Sequence, residues 1–386
     1  MERRTSKTWV EISRSALLGN VKAFRAHVGR AVPLMAVVKS NAYGHGLLEV
    51  AKLADAGGVA WFGVDSVDEG IALRGAGIRK PILVLGHTLD GRLKDAVTHR
   101  LSITISSMPT VTALRRLRLP SLPSPKKTAL VHVKVDTGTT RQGANGEELT
   151  RLVRALAKTP GVVIEGVATH FANIEDTSDR TYADRQLARF HEALASIRCV
   201  GQKPAWRHTA CSAAAILYPD TYFDLVRLGV SMYGLWPSKE TRAVADRIGR
   251  RLGLAPVLTW KTVVAQVKRV KKGTPVSYGL TERVSRPSTL ALMPVGYWDG
   301  YDRGLSSTGH VLIRGRRCKV MGRVCMNMFM VDATDVPGIR VGDEAVLLGR
   351  QRRETVSADD IAARIGTINY EVVTRINPMI PRIVVP

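Results

Sequence analysis

The stretch Pro33-Leu-Met-Ala-Val-Val-Lys39-Ser-Asn-Ala-Tyr-Gly-His-Gly46 joins an apolar run to one lysine, a tyrosine and two glycines. It reads as a short buried strand that ends on Lys39 and opens through the glycines into a helix. An ammonium is costly to desolvate at such a place. A neutral amine there can form a Schiff base with a carbonyl cofactor or substrate. A lysine that snorkels out at a strand end explains the pattern equally well when taken alone. Tyr43 and the glycines beside it favour the chemical reading.

Such a lysine needs a scaffold, and the alternation of elements suggests one. Eight strand-like runs precede residue 231: the Lys39 strand, Trp61–Ser66, Pro81–Gly86, Leu101–Ile105, Ala129–Asp136, Val163–His170, Trp206–Cys211 and Leu225–Val230. Helical pattern falls at Leu17–Phe24 after a cap at Ser13 or Ser15, and at Leu47–Ala56, Glu69–Arg74, Val111–Leu117, Glu147–Ala157, Asp184–Ile197 and Ala213–Leu217. The alternation implies a parallel sheet. Eight units in ~220 residues suit a (β/α)8 TIM-type barrel, and no Gly-x-Gly-x-x-Gly opens the first unit as an open doubly wound sheet would favour. In a barrel, functional residues gather where strands end, and Lys39, Lys134, Asp136, His170, Ser212 and Arg227 all lie at or near such ends. Pro120–Lys127 reads as a proline- and serine-rich surface insertion.

After about Arg242 the texture changes. Val257–Val270, Val276–Tyr278, Thr289–Val295, His310–Ile313, Cys318–Val331 and Glu344–Leu348 read as β segments with glycine-rich turns. Helical pattern returns briefly near Ala358–Arg364. The expected division is an α/β barrel over residues 1–242, its first residues packing on the other domain, and a C-terminal mainly-β domain over 243–386.

Composition agrees with two globular domains: the chain has 386 residues, of which 45% are hydrophobic and 5% aromatic. The 57 basic against 33 acidic residues give a net charge of +24. The basic residues are spread out, and their densest cluster (Arg247, Arg250, Arg251, Lys261, Lys268, Arg269, Lys271 and Lys272) is interleaved with strand-like apolar residues. With no nucleic-acid motif beside them, they read as a solvated surface whose field favours small anionic ligands. Cys199, Cys211, Cys318 and Cys325 make no C-x-x-C pair, so neither a metal cage nor a disulfide framework is indicated. No apolar run follows the basic start, which argues against a secretory signal. None reaches the ~18 residues of a membrane helix, so a cytoplasmic location is expected.

Read together, the motifs identify a family. Ala36-Val-Val-Lys-Ser-Asn-Ala-Tyr-Gly-His-Gly46 is followed by Lys134-Val-Asp-Thr-Gly138 with Arg141, by Thr169-His-Phe-Ala172, and by Val226-Arg-Leu-Gly-Val-Ser-Met-Tyr-Gly234. The second part carries Val276-Ser-Tyr-Gly279, Pro294-Val-Gly-Tyr297, Gly322-Arg-Val-Cys-Met326 and Thr367-Ile-Asn-Tyr-Glu371. From Val10 to Ile383 the chain resembles the pyridoxal-phosphate-dependent alanine racemases.

The resemblance implies interconversion of L- and D-alanine, with D-alanine supplied to peptidoglycan. It implies that Lys39 binds pyridoxal 5'-phosphate covalently. Inversion needs a proton removed from one face and another delivered to the opposite face, so two bases are required. Lys39 matches one and Tyr278 the other. A free phenol titrates near ~10, and His170 and Arg227 match the residues that adapt it to this task, Arg227 also meeting the pyridine nitrogen. Tyr43, Ser212, Gly229, Val230 and Tyr370 match the phosphate site. Arg141 matches the arginine near the phenolic oxygen and the substrate carboxylate, which Met326 also binds through its N–H. Tyr297 would narrow the entrance. Lys134 matches a lysine that is carbamylated in many members. The resemblance also implies a homodimer in which Tyr278, Tyr297 and Met326 act across the interface.

Three positions depart from the family pattern: Cys211 where asparagine is usual, Thr139-Thr140 for Met-Gly, and Asn327 for aspartate. Rival readings are a broad-specificity racemase, a decarboxylase of the same fold and a single-barrel cofactor carrier. Arg227, where those decarboxylases place a glutamate, and the β domain, which carriers lack, separate the last two from this chain.

Overall fold

The structure is a computed structural model. It describes residues 6–120, 128–250 and 252–386. Positions 121–127 of the expected insertion, Arg251 of the basic cluster and the first five residues lie outside the described residues. The chain forms two compact units: residues 17–42 with 50–255, and residues 1–16 with 43–49 and 256–386.

Strand β1 (Thr8–Ser13) belongs to the second of these. Among the described residues the first unit contains eight strands: β2 (Leu34–Val37), β3 (Trp61–Val64), β4 (Ile82–Val84), β5 (Ser102–Ile105), β6 (Ala129–Lys134), β7 (Val162–Ala168), β8 (Trp206–His208) and β9 (Val226–Leu228). They form one parallel sheet in the order β8-β7-β6-β5-β4-β3-β2-β9. Between its end strands, Asp224 N–H donates to Arg207 O at 3.0 Å and Arg227 N–H to Ala210 O at 3.1 Å, leaving a nearly closed barrel. The expected barrel is the observed one. Each predicted strand is present, and most are shorter.

The intervening helices form for ordinary reasons. In the helix Gly146–Ala157, Leu149, Leu152, Val153 and Leu156 make one buried stripe, with Glu147 and Glu148 at the positive N-terminal end. Ser66 caps the helix Val67–Gly75 by accepting the Glu69 N–H. Three short helices had no separate sequence signal: Leu93–Thr98, Lys239–Arg247 and Asn369–Thr374.

The second unit is a mostly antiparallel sheet. Its strands are β10 (Leu258–Val263), β11 (Gln266–Val270), β12 (Pro275–Val276), β13 (Glu282–Arg283), β14 (Ser288–Met293), β15 (His310–Ile313), β16 (Arg316–Met321), β17 (Phe329–Asp332), β18 (Glu344–Gln351), β19 (Glu354–Val356) and β20 (Arg382–Val385). The main order is β11-β14-β17-β16-β15-β18-β10-β1-β20. β1 pairs antiparallel with β10 and parallel with β20.

Three β readings need correction. Val257–Val270 is two strands, β10 and β11, which pair with different neighbours. Cys318–Val331 is not one segment: the chain turns between β16 and β17. Gly322, at φ 70°, permits this, because a Cβ there would stand 2.4 Å from Val276 O. Tyr278 is not in a strand either. Ser277 adopts φ 65°, and Tyr278–Leu280 forms a 3-10 turn. Among the described residues no helix is long and apolar enough to cross a membrane, and the four cysteines are free thiols.

Candidate active site

Lys39 comes two residues after β2 ends at Val37. The chain does not pass there into an ordinary helix. Ser40, Asn41, Ala42 and Tyr43 have φ of 56, 54, 52 and 54°. Left-handed backbone costs non-glycine residues about 1–2 kcal/mol each, so neighbouring groups must hold the turn. The Glu69 carboxylate accepts the N–H of Ser40 at 2.7 Å and of Asp65 at 2.8 Å. Lys39 is consequently not the buried residue that the strand suggested. Its side chain is 40% exposed, with Nζ 3.7 Å from Asp65 Oδ1. The apolar strand stops short of it, and the turn carries it.

Lys134 ends β6, and the loop beyond leads to Arg141. Asp136 Oδ1 organises that loop by accepting the N–H groups of Gly138, Thr139 and Thr140 at 2.9, 3.0 and 3.1 Å. The unusual Thr139 adds a bond, its hydroxyl donating to His170 O at 2.6 Å. This ties the loop to the end of β7. Loss of solvent, with repulsion from Arg227 and Arg141, holds the Lys134 amine well below the ordinary lysine range; Asp136 offsets only part of this.

Arg227, in β9, is buried, which brings its guanidinium down to about 10. Its Nη2 donates to Thr169 O at 3.0 Å and Thr209 O at 2.8 Å, and reaches His170 Nδ1 at 3.3 Å. Arginine can only donate, so His170 Nδ1 accepts and its proton sits on Nε2. Burial, then the charges of Arg227, Lys134, Arg141 and Lys39, hold His170 well below the usual imidazole range. Those same interactions gather Arg227, Lys134, Arg141 and Lys39 around His170. His170 therefore offers this site an N–H donor, while the positive charge comes from its neighbours.

Ser212 opens the short helix after β8, and its Oγ accepts the N–H groups of Gly229 at 3.1 Å and Ser231 at 3.4 Å. Ser212, Gly229 and Val230 are thus brought together. Burial pushes the adjacent Cys211 thiol up to about 11, which leaves it unreactive near neutrality. Sequence reasoning missed His208, whose Nδ1 lies 2.8 Å from Arg227 Nη1. The available signal was a histidine inside a three-residue barrel strand.

The β unit holds the remaining residues. Tyr43 and Tyr370 come together, ring centroids 6.2 Å apart. Gly44 makes this close approach possible, since a Cβ there would stand 2.0 Å from Val373 O. Arg382 clasps the same segment through Gly44 O, at 3.1 Å from Nε and 2.9 Å from Nη2. Tyr278, Tyr297, Met326 and Asn327 line a cavity of about 730 Å³. Tyr278 is 74% exposed, and Met326 54%. Gly296 lets the Tyr297 turn lie against the Met326 loop: Tyr297 N–H donates to Cys325 O at 3.1 Å and Trp298 N–H to Met326 O at 3.0 Å.

The barrel residues fit an anionic ligand with a reactive carbonyl. Lys39 supplies an amine, the cationic group supplies charge, and two polar groups await partners. The hydrogen bonds of Arg227 run from Nη1 and Nη2 and leave Nε unused, and the buried Ser231 Oγ beside Val230 has no partner among the described residues. A phosphorylated aldehyde bearing a ring nitrogen would satisfy both kinds of donor.

Comparison with known proteins agrees. The family model described as "Alanine racemase, N-terminal domain" matches residues 12–237, and "Alanine racemase, C-terminal domain" matches 257–384. An alanine racemase of Desulfosudis oleivorans is 42% identical, with 97% of this chain and 96% of the relative covered. One from Leptospira interrogans is 38% identical over 99% of this chain and 96% of the relative. Among solved structures, alanine racemase from D-cycloserine-producing Streptomyces lavendulae has a TM-score of 0.89 at 36% identity, covering 99% of this chain and 97% of that one. The Bacillus anthracis enzyme with bound L-Ala-P has a TM-score of 0.90 at 35% identity, covering 98% and 95%. By its motifs, its barrel and its full-length likeness to these enzymes, the chain belongs to the alanine racemase family.

Proposed function

We propose that this chain is an alanine racemase, an isomerase that interconverts L- and D-alanine and supplies D-alanine for peptidoglycan, and we place that supply in the cytoplasm. The observation that carries the reading is the gathering of Lys39, Lys134, Arg141, His170 and Arg227 into one group where barrel strands end. We infer pyridoxal 5'-phosphate as the cofactor. Bound, it would draw electrons from the substrate α-carbon and make its hydrogen acidic.

The chain's own residues would do the rest. Lys39 would hold the cofactor covalently and exchange a proton on one face of the α-carbon. Arg227, fixed by backbone acceptors, would offer Nε–H to the ring nitrogen without protonating it. Tyr43, Ser212, Gly229, Val230 and Tyr370 would bind the phosphate, as the matching positions imply. Arg141 and the Met326 N–H would hold the substrate carboxylate, and Tyr297 would narrow the entrance. The downward push on the Lys134 amine favours carbamylation, because the neutral amine is the form that adds to carbon dioxide, losing a proton as the N–C bond forms.

Tyr278 would exchange the proton on the opposite face, with the Nε2–H of His170 as a donor to its oxygen. We propose that Tyr278, Tyr297 and Met326 come from a second copy of the chain. The large, partly apolar side chains exposed around the 730 Å³ cavity support a homodimer, since a surface of that kind marks an interaction site. The functional division is then a cofactor-binding barrel and a β domain that contributes the second base.

The test is incubation of the cofactor-loaded protein with L-alanine, and separately L-serine, in deuterated water. Chiral chromatography should detect D-alanine carrying deuterium at the α-carbon. Its absence would refute the reading; comparable D-serine formation would broaden the substrate class.

A further inference from the structure

Arg227 is also the near end of a buried chain of hydrogen bonds that the proposed reaction does not use. Its Nη1 lies 2.8 Å from His208 Nδ1, and His208 Nε2 lies 2.8 Å from His132 Nδ1. His132 Nε2 lies 3.3 Å from Glu165 Oε2, to which Ser102 Oγ also donates at 2.6 Å. The arginine has only hydrogens to give, so every link acquires a direction from that end. His208 Nδ1 must accept, and its Nε2 must carry the proton. His132 Nδ1 then accepts, and its Nε2–H donates to Glu165 as a carboxylate.

A second proton on either imidazole would set two N–H groups against each other. Burial, followed by the charge of Arg227, accordingly holds His208 well below the ordinary imidazole range. Burial pushes the Glu165 carboxyl up, but the bonds from His132 and Ser102 outweigh it and hold the group below its ordinary range.

The surroundings are shaped for this chain. Both imidazoles are fully buried. Trp61 meets His132 edge to face, with centroids 5.4 Å apart. The β6–β7 register shifts between Val131 and His132, bringing His132 opposite Gly166. A Cβ at Gly166 would stand 2.3 Å from His132 Nδ1, so the glycine makes room for the ring.

We propose that Glu165 is a positioning residue for racemisation: through His132 and His208 it fixes the tautomer of His208, and with it the orientation of the Arg227 guanidinium. This rests on the reading of Arg227 as the partner of the cofactor ring. Without the carboxylate, His132 can present Nδ1–H, and His208 must then turn an N–H toward the arginine. The guanidinium would lose an acceptor and its fixed aim.

Long-range proton–nitrogen correlation spectra of histidine-labelled, cofactor-free protein near neutral pH test the tautomers directly. The expected result is neutral Nε2–H for both His132 and His208. Glu165→Gln, which can donate as well as accept, should abolish the single tautomer of His208. Its kcat should fall about tenfold, the scale on which outer-shell partners act, with KM for alanine changed less than about twofold. Should that variant fold poorly, Gly166→Ala displaces the His132 ring while keeping the carboxylate, and the same spectral change is expected. His208 found as Nδ1–H or as imidazolium in the parent protein overturns the proposal, as does a variant that keeps either the single tautomer or the parental kcat. The parent spectra require no turnover, so a protein that fails to racemise alanine fails on separate grounds.

Discussion

The two halves of the proposed site are built in opposite ways. In the barrel, Arg227 is held by backbone carbonyls and two histidines, and the Arg141 loop is tied down by Asp136 and Thr139. In the β unit, Tyr278 and Met326 sit on turns and are mostly exposed. A group that must hold a cofactor in one orientation benefits from being fixed before it binds. A group that serves another chain must stay accessible until that chain arrives. On the proposed reading this difference is a division of labour: the barrel would supply orientation, and the β unit would supply a base to a neighbour.

The sharpest way to break this comparison is to remove one base from each half. Lys39→Ala and Tyr278→Phe should each lower racemisation by about 10³–10⁴-fold in both directions, near the upper end of what a positioned base contributes. Tyr278→Phe should nevertheless bind cofactor, and borohydride reduction should label Lys39 alone. Parental activity in Tyr278→Phe would remove the phenol from the mechanism.

Mixing those two inactive variants asks whether the halves come from different chains. With half of the dimers mixed, one site in each mixed dimer keeps both bases, so about a quarter of parental activity should return. Confirmed heterodimers without activity would place Tyr278 at its own barrel.

The preset barrel half should also show itself as a pH cost. His208 is neutral in the folded chain and titrates well below its unfolded value of ~6.5. Below that pH the unfolded chain gains a proton that the folded one refuses, so stability falls as pH falls until the folded value is reached. Each such histidine contributes a slope of about 1.4 kcal/mol per pH unit. His208→Gln should remove about one such contribution from urea unfolding midpoints measured between neutrality and mild acid. An unchanged slope would mean that His208 is protonated in the native state.

The smallest effect expected is at Thr139. Thr139→Ala removes the bond to His170 O and should cost about 1 kcal/mol of stability, with kcat within about threefold of the parent. A tenfold loss or more would show that the loop tie governs catalysis as well.

The barrel was legible in the sequence because eight apolar runs are mostly separated by helical ones, even though the helix Leu93–Thr98 left no signal of its own. The candidate site could be drawn around Lys39, His170, Ser212 and Arg227 because strand ends are where a barrel exposes chemistry. Other features left no periodic trace. The left-handed turn from Ser40 to Tyr43 is set by tertiary bonds such as those of Glu69, against local preference. His208, His132 and Glu165 lie in three different strands, and neither spacing nor pattern links them before the barrel closes. The turn that carries Met326 was hidden in a mostly apolar stretch, where Gly322 marks the bend.

The pairing of β1 with both β10 and β20 also sets a schedule for synthesis. A ribosome adding roughly 5–20 residues per second would leave the β1 strand without either neighbour for roughly 10–50 s, until β10 has been made. The parallel partner, β20, is made later still. During that interval the barrel sequence emerges complete, while Thr8–Ser13 remains an unpaired apolar edge able to join another chain. A chaperone that shields the first residues, or slow translation around Leu258, would therefore affect the yield of folded protein far more than its final stability.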